Sequence, residues 1–420
     1  MRPPFSTLVR ILPASPSQFQ LSPARLLHRW FRLSAVPLAA ASALIFLPCL
    51  GAQSASPQPH AVHHAGNAEH SVGDSLDYTP PLANLSPALR RSAVAAAMRK
   101  VGDWQLKRAQ PNFNQDWTYA ALYAGFMAAA RSLSEPRYEQ AMLDMGNKFN
   151  WTTGPRKDVA DDQAIAQTYL GLYFDYHQPR MIIPTQKQLD ILKTQPDNPA
   201  RPVWWWCDAL FMAPPVWARL YSATHDISYL NYMDHEWWIT SNLLYDTHEH
   251  LFSRDATYLN KHEANGQKLF WARGNGWVMA GLARVFEQMP ANYPSRPKYV
   301  TQFRRMAARI AQLQSPDGLW RPGLLDAPAY QLPEVSGSAF FIYAIAWGIN
   351  HHLLKRSTYL PVVKRGWQGL LQHVYITGRL GCIQPIGAAP GAYKPTSSYV
   401  YGVGAFLLAG SQVMELSKKN

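Results

Sequence analysis

Trp204-Trp205-Trp206-Cys207-Asp208-Ala209-Leu210-Phe211-Met212-Ala213-Pro214-Pro215-Val216-Trp217 sets one carboxylate among four tryptophans, a phenylalanine and a methionine. Helical spacing places Trp204, Trp205, Asp208, Phe211 and Met212 on one face, with the carboxyl group held against aromatic rings. Loss of water disfavours the charged form, so the pKa of Asp208 is expected to rise towards the range of a general acid. A buried aspartate that caps a helix or pairs with an arginine accounts for the same residue. A single acid in an apolar pocket is, however, the pattern by which enzymes tune carboxylic acids, and it favours the catalytic reading.

Outward from this stretch the pattern is helical almost without interruption. Apolar periodicity and caps predict helices over 88–104, 117–132, 137–149, 162–176, 184–193, 208–224, 228–245, 276–288, 299–313, 336–350, 359–374 and 398–416. Ser86-Pro87 reads as the cap and first position of the first of these. Strand alternation is confined to short pieces at 251–254 and 319–321, suited to small hairpins in loops. A dozen helices without a fixed-length repeat fit a closed double ring, an (α/α)6 barrel, better than a solenoid. In such a ring, loops at one end of the inner helices gather around a central pocket.

The first 52 residues have the order of a secretory signal peptide: an arginine-bearing start, an apolar run over 34–50 and small residues after it. An uncleaved anchor is the other reading, and either implies a periplasmic or secreted protein. Residues 53–85 read as a disordered spacer rich in Ser, His and Pro, and 86–420 as one catalytic domain. The net charge is +13, of which residues 1–60 hold five arginines and no acids, leaving +8 scattered over the rest. No Lys/Arg run resembles a nucleic-acid footprint, and the excess suits an anionic small substrate. Fifteen Trp and 21 Tyr suit stacking against sugar rings. The three cysteines offer neither a zinc spacing nor a disulfide framework, although a Cys207–Cys382 bridge is conceivable beside a free buried thiol.

Two further stretches bear on chemistry. Asp161 and Asp162 open the helix over 162–176, where paired acids often serve only to cap free N–H groups. Asp161 is expected to face the pocket as a second carboxylate, with Asp162 as the one-residue alternative. Phe270-Trp271-Ala272-Arg273-Gly274-Asn275-Gly276-Trp277 shows two indoles and a guanidinium beside a glycine-flanked turn. Arg273 is placed to pair with a substrate carboxylate, with Trp271 and Trp277 stacking on sugar rings; a loop pinned by Arg273 to an acid is the alternative. Trp206 joins the sugar-binding candidates, and Tyr119 is assigned either to the pocket wall or to the core. Glu334 precedes Ser336-Gly337-Ser338 as a helix cap.

Trp204–Pro215, Phe270–Trp277 and Ser336-Gly337-Ser338 together resemble the unsaturated rhamnogalacturonyl hydrolases of glycoside hydrolase family 105, related to the unsaturated glucuronyl hydrolases of family 88. The resemblance spans roughly residues 90–415. It implies an (α/α)6 barrel and removal of a 4,5-unsaturated uronic acid from the non-reducing end of lyase-generated oligosaccharides. Asp208 matches the acid that protonates C4 before water adds at C5, and Asp161 best matches the second carboxylate. Trp271, Arg273 and Trp277 match sugar-binding positions. Neither a cofactor nor a metal is implied, and the partner is the unsaturated oligosaccharide, met by a monomer or homodimer. This chain departs where many members carry a His in a His-Gly/Ala-Trp-Asp segment: it reads Leu251-Phe252-Ser253-Arg254-Asp255, so Arg254 is expected to contact the uronate in place of that His. The competing readings are a polysaccharide lyase and a non-catalytic oligosaccharide-binding protein.

Overall fold

The computed structural model describes residues 72–198 and 202–417, all within one compact unit. The leader and most of the spacer lie outside the described residues. Fourteen helical segments follow one another: α1 Arg91–Ala109, α2 Trp117–Leu133, α3 Pro136–Lys148, α4 Ala160–Gln163, α5 Ala166–Tyr176, α6 Ile183–Leu192, α7 Ala209–Met212, α8 Pro214–Thr224, α9 Ile227–Leu244, α10 Ala272–Phe286, α11 Arg296–Gln312, α12 Val335–Asn350, α13 Arg356–Leu371 and α14 Val400–Leu416.

Local chemistry sets their ends. Asp116 accepts from Thr118 N at 2.9 Å to start α2, and Asp226 accepts from Ser228 N at 2.9 Å to start α9. Ser134, His177 and His225 adopt left-handed conformations that stop α2, α5 and α8. The first helix begins at Arg91 rather than Ala88, and its N-cap makes no side-chain bond, so Ser86-Pro87 does not start it.

Seven helices close a ring of six positions, α7 and α8 sharing one: α2 packs on α5, α5 on α8, α7 and α8 on α10, α10 on α12, α12 on α14, and α14 again on α2. Every residue of α10 and α12 is buried, as expected of inner helices covered on all sides. The outer layer is amphipathic and leans on this ring, as α1 does on α14 and α9 on α8. The fold is the expected (α/α)6 barrel. Close approach within the ring requires glycine where α10 meets α7: a Cβ on Gly281 would lie 2.1 Å from Leu210 O.

The helix expected over 208–224 is broken. Pro214 and Pro215 lack the N–H groups that would continue it, so α7 ends at Met212 and α8 starts at Pro214. Gln167 of α5 takes up the freed carbonyls, donating to Phe211 O at 2.7 Å and Met212 O at 3.3 Å. Trp204–Cys207 are not helical either: Trp206 pairs with Asp255, and Cys207 N donates to Arg254 O at 2.8 Å. The shared face proposed for Trp204, Trp205 and Asp208 is therefore replaced by a short extended segment.

Two small antiparallel ribbons are present among the described residues. In one, β2 Tyr245–Asp246 pairs with β3 Leu251–Phe252, as expected near 251–254; residues 319–321 form no strand. In the other, β1 Gly73–Asp74 pairs with β4 Ser398–Tyr399. Residues 72–85, expected within a disordered spacer, thus include backbone paired with the barrel. Arg379 donates to Asp74 O at 2.6 Å, and Leu76 N donates to Thr396 Oγ1 at 3.0 Å, tying residues 72–76 to the barrel. Cys207 and Cys382 are both buried and free, which overturns the bridge between them. No helix among the described residues is long and apolar enough to cross a membrane.

Candidate active site

The starts of five inner helices contribute to one cluster. Trp117 opens α2, Asp161 lies just ahead of α5, Asp208 precedes α7, Arg273 lies in the first turn of α10, and Tyr401 in the first turn of α14. Trp117 stacks on Tyr401 at 5.5 Å and meets Trp277 edge-on at 6.0 Å, which brings these helix starts together. Helix N-termini carry partial positive charge, so their convergence favours an anionic ligand.

Asp208 is 9% exposed and its side chain does not cap α7. Its Oδ2 lies 3.6 Å from Arg254 Nε and 3.6 Å from Cys207 Sγ. Burial pushes its carboxyl above the ordinary range, while the positive charges of Arg254 and Arg273 hold the rise back. Asp161, partly exposed, is pushed up to about 7, first by burial and then by the negative charge of Asp208. Two carboxyls that repel one another in a poorly hydrated site titrate as a coupled pair.

Asp161 and Asp162 differ in their hydrogen bonding. Asp162 accepts from Arg156 N at 2.6 Å and from Arg156 Nη2 at 2.6 Å, so both of its oxygens are committed to the 154–156 loop. It braces that loop and is not placed to bind substrate.

Several sugar-binding expectations are corrected. Arg273 is fully buried; its Nη1 and Nη2 donate to Gln384 O at 2.6 Å and Pro385 O at 2.7 Å, and its guanidinium lies between Trp271 and Tyr401. It anchors a loop and lends charge to Asp208, but cannot make a bidentate pair with a substrate. Trp271 donates Nε1 to Gln384 Oε1 at 3.1 Å and is almost wholly buried. Trp277 packs against Phe211 and Phe340 in the core, and Tyr119 against Phe113 and Tyr123. The reason is common to all four: residues inside the inner ring are covered on every side and pack against the protein itself.

Arg254, by contrast, lies beside Asp208. Asp255 grips its Nη1 at 2.7 Å, its guanidinium lies 5.5 Å over the ring of Trp205, and its buried Nε has no hydrogen-bond partner. Trp206 is nearly buried and tilted against Trp205 at 4.8 Å, so the half-buried Trp205 and Trp117 offer more accessible aromatic surface. Trp205 was expected only as part of the Asp208 face, and Gln384, outside every motif and periodic run singled out, not at all.

The raised Asp161 carboxyl has a consequence for stability. Between pH 4 and 7 the folded protein retains a proton that the unfolded chain has released, so stability falls as pH rises through this window. Asp161→Asn removes the effect. Its stability relative to the parent should rise by about 2 kcal/mol between pH 4 and pH 8, after screening. Urea unfolding at the two pH values checks this, and an unchanged difference would contradict the burial of an ionised Asp161.

The sequence profile of Glycosyl Hydrolase Family 88 matches residues 91–417. An unsaturated 3S-rhamnoglycuronyl hydrolase of Formosa agariphila is 39% identical over 351 residues, covering 79% of this chain and 93% of that one. A second protein of that description, from an Alteromonas species, is 29% identical over 418 residues, covering 93% and 100%. Among solved structures, a family 88 glycosyl hydrolase from Bacteroides vulgatus superposes with a TM-score of 0.72 at 30% identity, covering 77% of this chain and 98% of that one. Another, described as a polysaccharide lyase, superposes with a TM-score of 0.74 at 31% identity, covering 79% and 99%.

Proposed function

The chain belongs to glycosyl hydrolase family 88, and from that membership we propose that it hydrates the C4=C5 bond of an unsaturated uronic acid at the non-reducing end of an oligosaccharide, releasing that sugar. The observation that carries the assignment to this site is the buried Asp208 carboxyl, its Oδ2 3.6 Å from Nε of the Arg254 guanidinium. Protonated Asp208 delivers its proton to C4, and positive charge develops across C5 and the ring oxygen. Water adds at C5, giving up a proton to the carboxylate pair. The resulting hemiketal opens, and the bond from C1 to the neighbouring sugar breaks. Delivery to carbon requires a neutral acid, which the burial of Asp208 favours. Asp161, charged or neutral according to its partner, holds the second proton position.

Arg254 supplies a donor for the uronate carboxylate, and Trp205 and Trp117 supply faces for the sugars. Arg254→Ala is expected to raise KM by about ten- to a hundredfold through loss of a charge-assisted bond, read from initial rates across substrate concentration. An unchanged KM would remove Arg254 from the uronate subsite.

The relatives' activity makes an unsaturated uronate linked to rhamnose the first substrate to test. Oligosaccharides from lyase-digested polymers are incubated with the protein while the ultraviolet absorbance of the conjugated carboxylate is followed. Loss of absorbance supports the reading. A gain on intact polymer would indicate the lyase activity by which one structural neighbour is described. The leader-like first 52 residues support a periplasmic or secreted location, checked by N-terminal sequencing of the mature protein.

A further inference from the structure

We infer that Cys207 is a positioning residue for the reaction proposed above: its thiol donates to Asp208 Oδ2 and keeps that carboxyl turned towards Arg254 and the pocket. The inference rests on the assignment of Asp208 as the acid. Cys207 is fully buried, and its Sγ lies 3.6 Å from Oδ2, within the range of a sulfur hydrogen bond. Two contacts fix the sulfur independently of the carboxyl. The Cys207 N–H donates to Arg254 O at 2.8 Å, joining the residue to the segment that carries Arg254. From the other side, the first turn of α10 presses close: a Cβ on Gly274 would lie 2.9 Å from Sγ. The thiol is thus wedged between the α10 backbone and the acid.

The chemistry of the donor matters. Burial pushes the Cys207 thiol well up, first, and the neighbouring Asp208 charge adds to it, so the S–H is retained and can only donate to the carboxylate. A thiol is a weak donor. It orients the carboxyl but stabilises the anion little, leaving Asp208 able to take up the proton it must deliver. A hydroxyl in the same place would bind the anion more firmly and make it a poorer acid near neutrality. Cysteine therefore reconciles a fixed rotamer with a raised pKa.

The test is the pH–rate profile of the full chain on unsaturated oligosaccharide. Cys207→Ser is expected to move the alkaline limb of kcat to lower pH by about half a unit, and Cys207→Ala to move it upwards or leave it while lowering kcat several-fold. Packing alone would change stability without moving the limb, so superimposable profiles for the parent and both variants overturn the proposal. A second measurement holds if a variant fails to fold. The infrared S–H band of Cys207 in the parent protein should lie below that of a thiol without an acceptor and return upwards in Asp208→Ala. A band unmoved by Asp208→Ala overturns the inference whatever the activity. Absence of hydration by the parent protein would instead overturn the functional reading, with the band still reporting on the contact.

Discussion

Asp208→Asn is expected to yield a folded protein whose hydration of unsaturated oligosaccharide has fallen by about two to four orders of magnitude. The amide keeps the shape of the carboxyl and its contacts with Arg254 and Cys207, so the pocket persists. What it lacks is a proton that can be transferred to carbon. Folding should not suffer, because the substitution removes a carboxylate whose charge is disfavoured by burial. Loss of ultraviolet absorbance, measured beside thermal unfolding, separates the two effects. Turnover within a fewfold of the parent would transfer the role of acid to Asp161, the other carboxyl of the pair. Retained binding of substrate by Asp208→Asn would in turn separate chemistry from recognition.

The largest effect on stability is expected at Glu334. Its carboxylate is fully buried and accepts from Gly337 N at 2.6 Å, Ser336 Oγ at 2.7 Å and Gln384 N at 3.1 Å. It therefore caps α12 and at the same time holds the loop whose carbonyls grip Arg273. Glu334→Ala leaves the backbone N–H groups of Ser336, Gly337 and Gln384 without this acceptor, removes a cap and opens a cavity, for a cost of about 4 kcal/mol. Urea unfolding at unchanged m-value measures it. A cost below about 1 kcal/mol would show that water or a shifted backbone takes over these donors. Because Gln384 and Pro385 also fix Arg273 and Trp271, the same substitution should blunt activity even where the protein remains folded.

Most helices can be read from the chain because each is coded locally. Asp116 and Asp226 are adjacent in sequence to the N–H groups they cap, and the run over 335–350 is apolar on every side, as an inner helix must be. Asp208 stands out in the same way, being one acid within an apolar run. The exception within that run is the chain break at Pro214-Pro215, which is stabilised by Gln167, 44 residues earlier. Nothing near 208 announces such a partner.

What the chain alone determined was the helical double ring and the acid at its centre, since both arise from side-chain periodicity and from residue types a few positions apart. What only the tertiary structure decided was the assignment of the remaining polar and aromatic groups. Arg273 and Arg254 are chemically identical as sequence, yet the first donates to the carbonyls of Gln384 and Pro385, 111 and 112 residues away, while the second lies beside Asp208, its Nε 3.6 Å from Oδ2. Likewise Asp161 and Asp162 are neighbours, and only the position of Arg156 separates an acid at the pocket from a brace of its loop. A guanidinium or carboxylate acquires its role from the partners that satisfy or desolvate it, and those partners are brought to it by ring closure, not by the neighbouring residues of the chain.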